Sequence, residues 1–206
     1  MIIRRFFAGA PATASLIAAC LLAYVVTGID SGSLARPASA PGVAWDLMVD
    51  PAAITGEGQW WRLLTGAFVH LDPGHLLMNM LLIGLIGREL ERAYGTFTMV
   101  VSMVLCAVGG GLAVMWLQPD SVVGGASTIG YGMFAMLVGL SLERKTDVRA
   151  PLVLIVVNLL YSVTAGGVSL PGHLGGLAAG ALIAVVLTAT RRGRATSTPW
   201  SSTDPR

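Results

Sequence analysis

Six apolar runs order this chain: residues 11–29, 75–86 with an extension over 87–94, 96–117, 127–142, 150–165 and 171–190. Each approaches the roughly 20 residues that a helix needs to cross the hydrocarbon core of a bilayer. Short polar breaks separate all but the first two. The pattern predicts an all-α polytopic membrane protein, a six-transmembrane-helix bundle over residues 11–190 that leaves residues 1–10 as a short N-terminal segment. The one long break, residues 30–74, carries Trp45, Trp60 and Trp61. Tryptophan favours headgroup depth, so this outer loop is expected to be structured and to lie at the membrane interface. Residues 191–206, rich in Ser, Thr, Pro and Arg, are expected to form a disordered tail.

Composition agrees with the pattern. Of the 206 residues, 54% are hydrophobic and only 12% charged, where a soluble domain carries about 25% charged residues. Mean hydropathy is +0.74. Arg4 and Arg5 precede the first run, and "IAAC" (residues 17–20) resembles a lipoprotein cleavage box, but the run continues through "LLAYVVTGI" and suits an uncleaved span. Cys20 and Cys106 both fall inside apolar runs and are expected to be buried thiols. Basic residues gather on the cytoplasmic side of membrane proteins. With both termini cytoplasmic and six spans, eleven of the thirteen Lys and Arg residues fall inside, and only Arg36 and Arg62 outside. The membrane expected for so compact a core is a bacterial plasma membrane. A net charge of only +2, with basic residues distributed by topology, gives no footprint for nucleic acid.

That threading places the first turns of the second, fourth and sixth spans at one depth near the outer face. They carry His75 with Asn79, Ser127 with Tyr131, and His173. Polar groups inside a membrane are expensive and usually functional. A serine hydroxyl becomes a good nucleophile when a base takes its proton, and histidine is the commonest base because it titrates near neutrality. His173, Gly176 and Gly180 share one helix face, and small residues permit the close helix approach that would bring His173 to Ser127. Gly124, Gly125 and Gly130 leave the backbone around Ser127 unencumbered. Tyr131 lies one turn from Ser127 and can pack on the imidazole. His75 and Asn79, four residues apart, offer N–H donors from one face of the second span, and the Ser127 amide at a helix start is a third. No acid is placed to orient His173: Glu143 lies about 24 Å along the fourth span from Ser127 at 1.5 Å per residue. A Ser–His dyad is therefore expected.

Each residue alone has a plainer reading. Ser127 is a favoured helix N-cap type, His173 a packing histidine, and His75 with Asn79 a self-satisfied helix end. His70, ahead of Pro73 and Gly74, reads as a structural loop residue rather than a metal ligand. No H-E-x-x-H motif, no pair of intramembrane aspartates and no phosphate-cradling loop is present, and "GGG" at residues 109–111 reads as a packing notch in the third span. No cofactor or metal is expected.

Taken together, "WWRLLTGAFVHLDPGHLLMNM", "GGASTIGYG" and "GHLGGLAAG" resemble the rhomboid family of intramembrane serine proteases, with its W-R, H-x-x-x-N, G-x-S-G and H-x-x-G-x-x-x-G patterns in order. The resemblance covers residues 61 to about 180. It implies a six-helix fold with a water-filled cavity open to the outside, Ser127 as nucleophile, His173 as general base, His75 and Asn79 as oxyanion donors, and Tyr131 packed on the base. It assigns Trp61 and Arg62 to a bracing loop and Glu91 to a structural role. Thr128 stands where the family has glycine. The implied activity is endopeptidase cleavage of transmembrane or juxtamembrane bonds in single-span membrane proteins. The alternative is a catalytically impaired rhomboid-like pseudoprotease that binds membrane proteins, and a small transporter is disfavoured because the polar groups cluster at one depth.

Overall fold

A computed structural model describes residues 5–196. The long helices are α1 (Pro11–Asp30), α5 (Pro73–Tyr94), α6 (Thr96–Leu117), α7 (Ser127–Arg144), α8 (Arg149–Thr164) and α9 (Leu170–Thr196). Between α1 and α5 lie α2 (Val43–Leu47), α3 (Pro51–Glu57) and α4 (Arg62–Thr65), the last running into a 3-10 turn over Gly66–Phe68. The only extended pairing among the described residues is an antiparallel bridge between Val49 and Val123.

Sequence signals set the helix limits. Asp72 caps α5 by accepting a hydrogen bond from the His75 amide at 2.9 Å, and Pro73 occupies a first-turn position where no N–H is needed. At its other end Gly95, with φ +86°, turns the chain directly into α6. The helix α9 extends to Thr196, past residue 190 where the apolar run stops. Arg191 anchors that extension through Glu143 at 2.8 Å and by lying over the Tyr94 ring. The tail expected over 191–206 is thus helical over its first residues, and its remainder, 197–206, lies outside the described residues, as do residues 1–4.

Buried side chains run without a break from Ile129 to Met136, so α7 is the central helix. Against it and α6 lies α9, at distances only glycine allows. A Cβ on Gly176 would collide with the Thr128 carbonyl, and one on Gly180 with the backbone of Gly132. On the neighbouring face, a Cβ on Gly175 would stand 2.5 Å from both Ala113 Cβ and the Gly109 carbonyl. The glycine trio of α6 serves three partners: Gly109 faces α9, Gly110 faces Thr128, and Gly111 faces Leu63. Such small-residue contacts let helix backbones meet where burial of apolar surface supplies little drive.

At the end of α7 away from Ser127 stands a charged layer. The Glu91 carboxylate accepts four hydrogen bonds, from the amides of Ala12 and Thr13 and the hydroxyls of Thr13 and Thr96, and so caps the start of α1. Arg144 pairs with Glu89 at 2.6 Å, and Arg92 donates to the carbonyls of Phe6 and Ala8. Among the described residues, α1, α6 and the Leu170–Arg191 part of α9 are long and apolar enough to cross a membrane on their own. The pair formed by Arg62–Phe68 and α5 qualifies together, bent by 99°. By contrast α8, with 16 residues, is shorter, and the Ser, Thr, Gly and Tyr residues of its first turns make α7 less apolar than its central position suggests.

Candidate active site

The loop that enters α7 is held in place before the serine is reached. Val49 and Val123 exchange backbone hydrogen bonds of 2.8 and 2.9 Å, and the Gly125 amide donates to the Gly66 carbonyl at 2.9 Å. The outer loop that supplies Val49 and Gly66 is itself braced by buried Arg62. Its guanidinium donates to the carbonyls of Met48 and Trp45 at 3.0 and 2.5 Å, and to the Gln59 side chain at 2.5 Å. Trp45, Trp60 and Trp61 stay exposed. Gly125 has φ +143°, and a Cβ there would stand 2.8 Å from His75 Nε2 and 3.5 Å from Ser127 Oγ. A side chain at this position would therefore fill the space between the serine and the second span's histidine.

The N-cap of α7 is Ala126, so the hydroxyl of Ser127, the first residue of the helix, is not in the capping position. Instead it meets His173 Nε2 at 2.8 Å, across from α9. The Tyr131 ring stacks on the His173 imidazole, with centroids 4.2 Å apart and planes 18° from parallel. Asn79 is buried and donates one amide hydrogen to the His75 carbonyl at 3.1 Å, which leaves its second N–H free. All five residues line one cavity of about 940 Å³. The structure thus brings together Ser127, His173, Tyr131, His75 and Asn79 from three helices.

Thr128 follows Ser127 in the first turn of α7. Its side chain occupies the notch at Gly110, where a Cβ would come within 2.5 Å of Thr128 Cγ2. Glu143 lies at the far end of α7 and Asp147 just beyond it, and among the described residues no carboxylate hydrogen-bonds to His173. The Nδ1 atom of His173 instead meets the Ser162 hydroxyl at 2.7 Å. Ser162 also lies 2.8 Å from the Tyr131 hydroxyl and donates to the Asn158 carbonyl at 2.8 Å. Nothing in the sequence marked Ser162. A serine near the end of an apolar run has no periodic or motif signature, and only the packing of α8 on α7 and α9 shows its contacts.

His70 lies in the loop ahead of α5, fully buried, with Nδ1 3.2 Å from the Phe68 carbonyl and its ring 5.0 Å from that of His75. Burial, reinforced by the positive charge His75 takes on when protonated, pulls its pKa from 6.5 down to about 4, so it is neutral at physiological pH. Among the described residues no three His, Cys, Asp or Glu side chains gather closely enough to hold a metal ion.

An all-helical membrane bundle that joins a serine and a histidine in one cavity defines a narrow class of protein. The Rhomboid domain family model matches residues 57–190. Rhomboid protease GluP of Bacillus subtilis (strain 168) is 28% identical over 146 residues, covering 68% of this chain and 29% of that protein. Rhomboid-like protease 3 of Toxoplasma gondii is 34% identical over 130 residues, 59% of this chain and 49% of that protein. Rhomboid protease AarA of Providencia stuartii is 26% identical over 159 residues, 62% of this chain and 56% of that protein. The chain therefore spans between 29% and 56% of the length of these relatives. With most of its length matched by the family model, the chain belongs to the rhomboid family and is an integral, multi-pass membrane protein.

Proposed function

We propose that this protein is an intramembrane serine endopeptidase that uses Ser127 and His173 as a catalytic dyad. The observation that carries the reading is the 2.8 Å contact between Ser127 Oγ and His173 Nε2 inside a partly open cavity. In the proposed reaction, His173 Nε2 takes the Ser127 proton as Oγ attacks the scissile carbonyl. The oxyanion that forms is held by the free Asn79 N–H, the His75 ring and the Ser127 amide. The imidazolium then gives its proton to the leaving amine, and water drawn through the cavity hydrolyses the acyl-enzyme.

The proposed topology has six spans, with α7 and α8 completing the count, and both termini cytoplasmic. The Glu143–Arg191 and Glu89–Arg144 layer would mark the inner interface, and the loop over residues 30–74 the outer one. Substrates are proposed to be single-span proteins of the same membrane, and the membrane a bacterial plasma membrane. Because a helical backbone hides its carbonyls in hydrogen bonds, helix-breaking Gly or Pro near the scissile bond is expected. The names of the relatives, which call them proteases, support an enzyme over a binding-only pseudoprotease.

The test is to incubate the detergent-solubilised protein with a panel of single-span substrates. Cleavage by the wild type and none by Ser127→Ala is expected. Equal cleavage by both would end the reading.

A further inference from the structure

Helix α8 lies at the edge of the bundle. Its buried residues are Pro151 and Ser162. Asn158 and Thr164 return their side chains to their own helix, to the carbonyls of Leu154, Leu160 and Tyr161. Among the described residues, Ser162 alone shares side-chain hydrogen bonds between this helix and others, one with Tyr131 and one with the base.

One consistent assignment of protons exists at Ser162. A hydroxyl has one hydrogen to donate and two lone pairs with which to accept. The Asn158 carbonyl, 2.8 Å away, only accepts, so the Ser162 hydrogen goes there. Toward its other two neighbours Ser162 Oγ must then be the acceptor. It takes the Tyr131 O–H at 2.8 Å and the His173 Nδ1–H at 2.7 Å. With Nδ1 carrying the hydrogen, neutral His173 has its lone pair on Nε2, facing Ser127 at 2.8 Å. The opposite tautomer would leave Nδ1 facing an oxygen with no hydrogen to give, and Nε2 with no lone pair for the Ser127 proton.

We propose that Ser162 is the positioning residue for His173, fixing its Nδ1–H tautomer and ring orientation and accepting from it when the ring becomes imidazolium. The proposal rests on the dyad reading above. Ser162 thereby fills with a neutral hydroxyl the place that a carboxylate takes in a three-membered set. Tyr131 contributes twice, through ring stacking and through the hydrogen it gives Ser162, which occupies the second lone pair.

The test compares Ser162→Thr with Ser162→Val, two side chains of equal shape that differ in the hydroxyl, with Ser127→Ala alongside. Cleavage of a single-span substrate by the purified protein is expected to keep kcat within about threefold in the Thr variant. In the Val variant kcat should fall roughly 10- to 100-fold, as part of what a positioned general base supplies, while KM is unchanged. Equal kcat in Thr and Val would overturn the proposal, because packing alone would then explain the residue. A second measurement needs no variant at position 162: nitrogen-15 NMR of histidine-labelled wild type at pH about 8, with the His173 signals assigned by their loss in His173→Asn. A protonated Nδ1 and bare Nε2 are expected, and a protonated Nε2 would overturn the proposal even if both substitutions unfold the chain. Turnover by Ser127→Ala would remove the dyad reading but leave this tautomer result standing, so the two failures are distinguishable.

Discussion

Ser127, His173 and Tyr131 were legible as residues because histidine and tyrosine are rare in this chain, the glycine-rich stretch before Ser127 sets it apart from the other serines, and the threading put all three at one depth. What each touches was less legible. Ser127 has the type of an N-cap, but Ala126 takes that place, and the Ser127 hydroxyl meets His173 on α9. Ser162 was invisible, since one hydroxyl in an apolar run changes neither periodicity nor charge. Two predictions belong at this scale. Replacing Asn79 by Ala removes one proposed oxyanion donor, so kcat for a single-span substrate should drop by about 10²–10³ with little change in KM; an unchanged kcat would remove Asn79 from the reaction. The second concerns His70, whose folded pKa of about 4 lies below the ordinary 6.5. Its contribution to stability is complete above pH 6.5. It is lost as pH falls from 6.5 toward 4, where the unfolded chain takes up a proton that the folded one refuses. Thermal unfolding in detergent should therefore steepen with acidity over that window in the wild type and less so in His70→Asn; parallel curves would contradict it.

At the scale of elements, glycine sets how far apart α6, α7 and α9 can stand. The sequence announced this through glycines spaced for one face of the sixth span, and the contacts assign each glycine its partner: Gly176 and Gly180 to α7, Gly175 to α6. Helix ends were legible where chemistry marks them, as with Asp72 and Pro73 at the start of α5. They were not where packing decides, as with α9, which Arg191 carries on beyond the apolar run through its contacts with Glu143 and Tyr94. A break ahead of α5 was marked by Asp72, Pro73 and Gly74, but the 99° bend it makes with the Arg62–Phe68 segment was hidden, because its angle depends on how the outer loop docks. Substituting Gly180 by Val pushes side-chain atoms into the backbone of Gly132. Overpacking of this kind costs about 1–3 kcal/mol, and it wedges α9 away from α7 along the face that holds His173 to Ser127. The variant should lose thermal stability and most of its activity together; full activity with normal stability would show that the two helices tolerate separation.

For the whole molecule, the two ends of the bundle differ in kind. One end holds the cavity of about 940 Å³ with its serine and histidines, and the other a layer of paired charges around Glu89, Glu143, Arg144 and Arg191. In the proposed orientation the cavity faces outward. Cysteine in place of Ser121 should then react with a membrane-impermeant maleimide in intact cells, and cysteine in place of Lys145 only after permeabilisation. The native Cys20 and Cys106 are buried and should stay silent. The reverse pattern would invert the topology. All of this converges on one contact, the 2.8 Å between Ser127 Oγ and His173 Nε2, and its proposed chemical consequence is an activated serine. The most direct measurement is labelling of the solubilised protein with a fluorophosphonate probe, read by mass spectrometry of the modified peptide. Labelling on Ser127 that disappears in His173→Asn is the expected result. A wild type that does not label, or one whose Ser127 labels equally well without His173, would contradict the dyad.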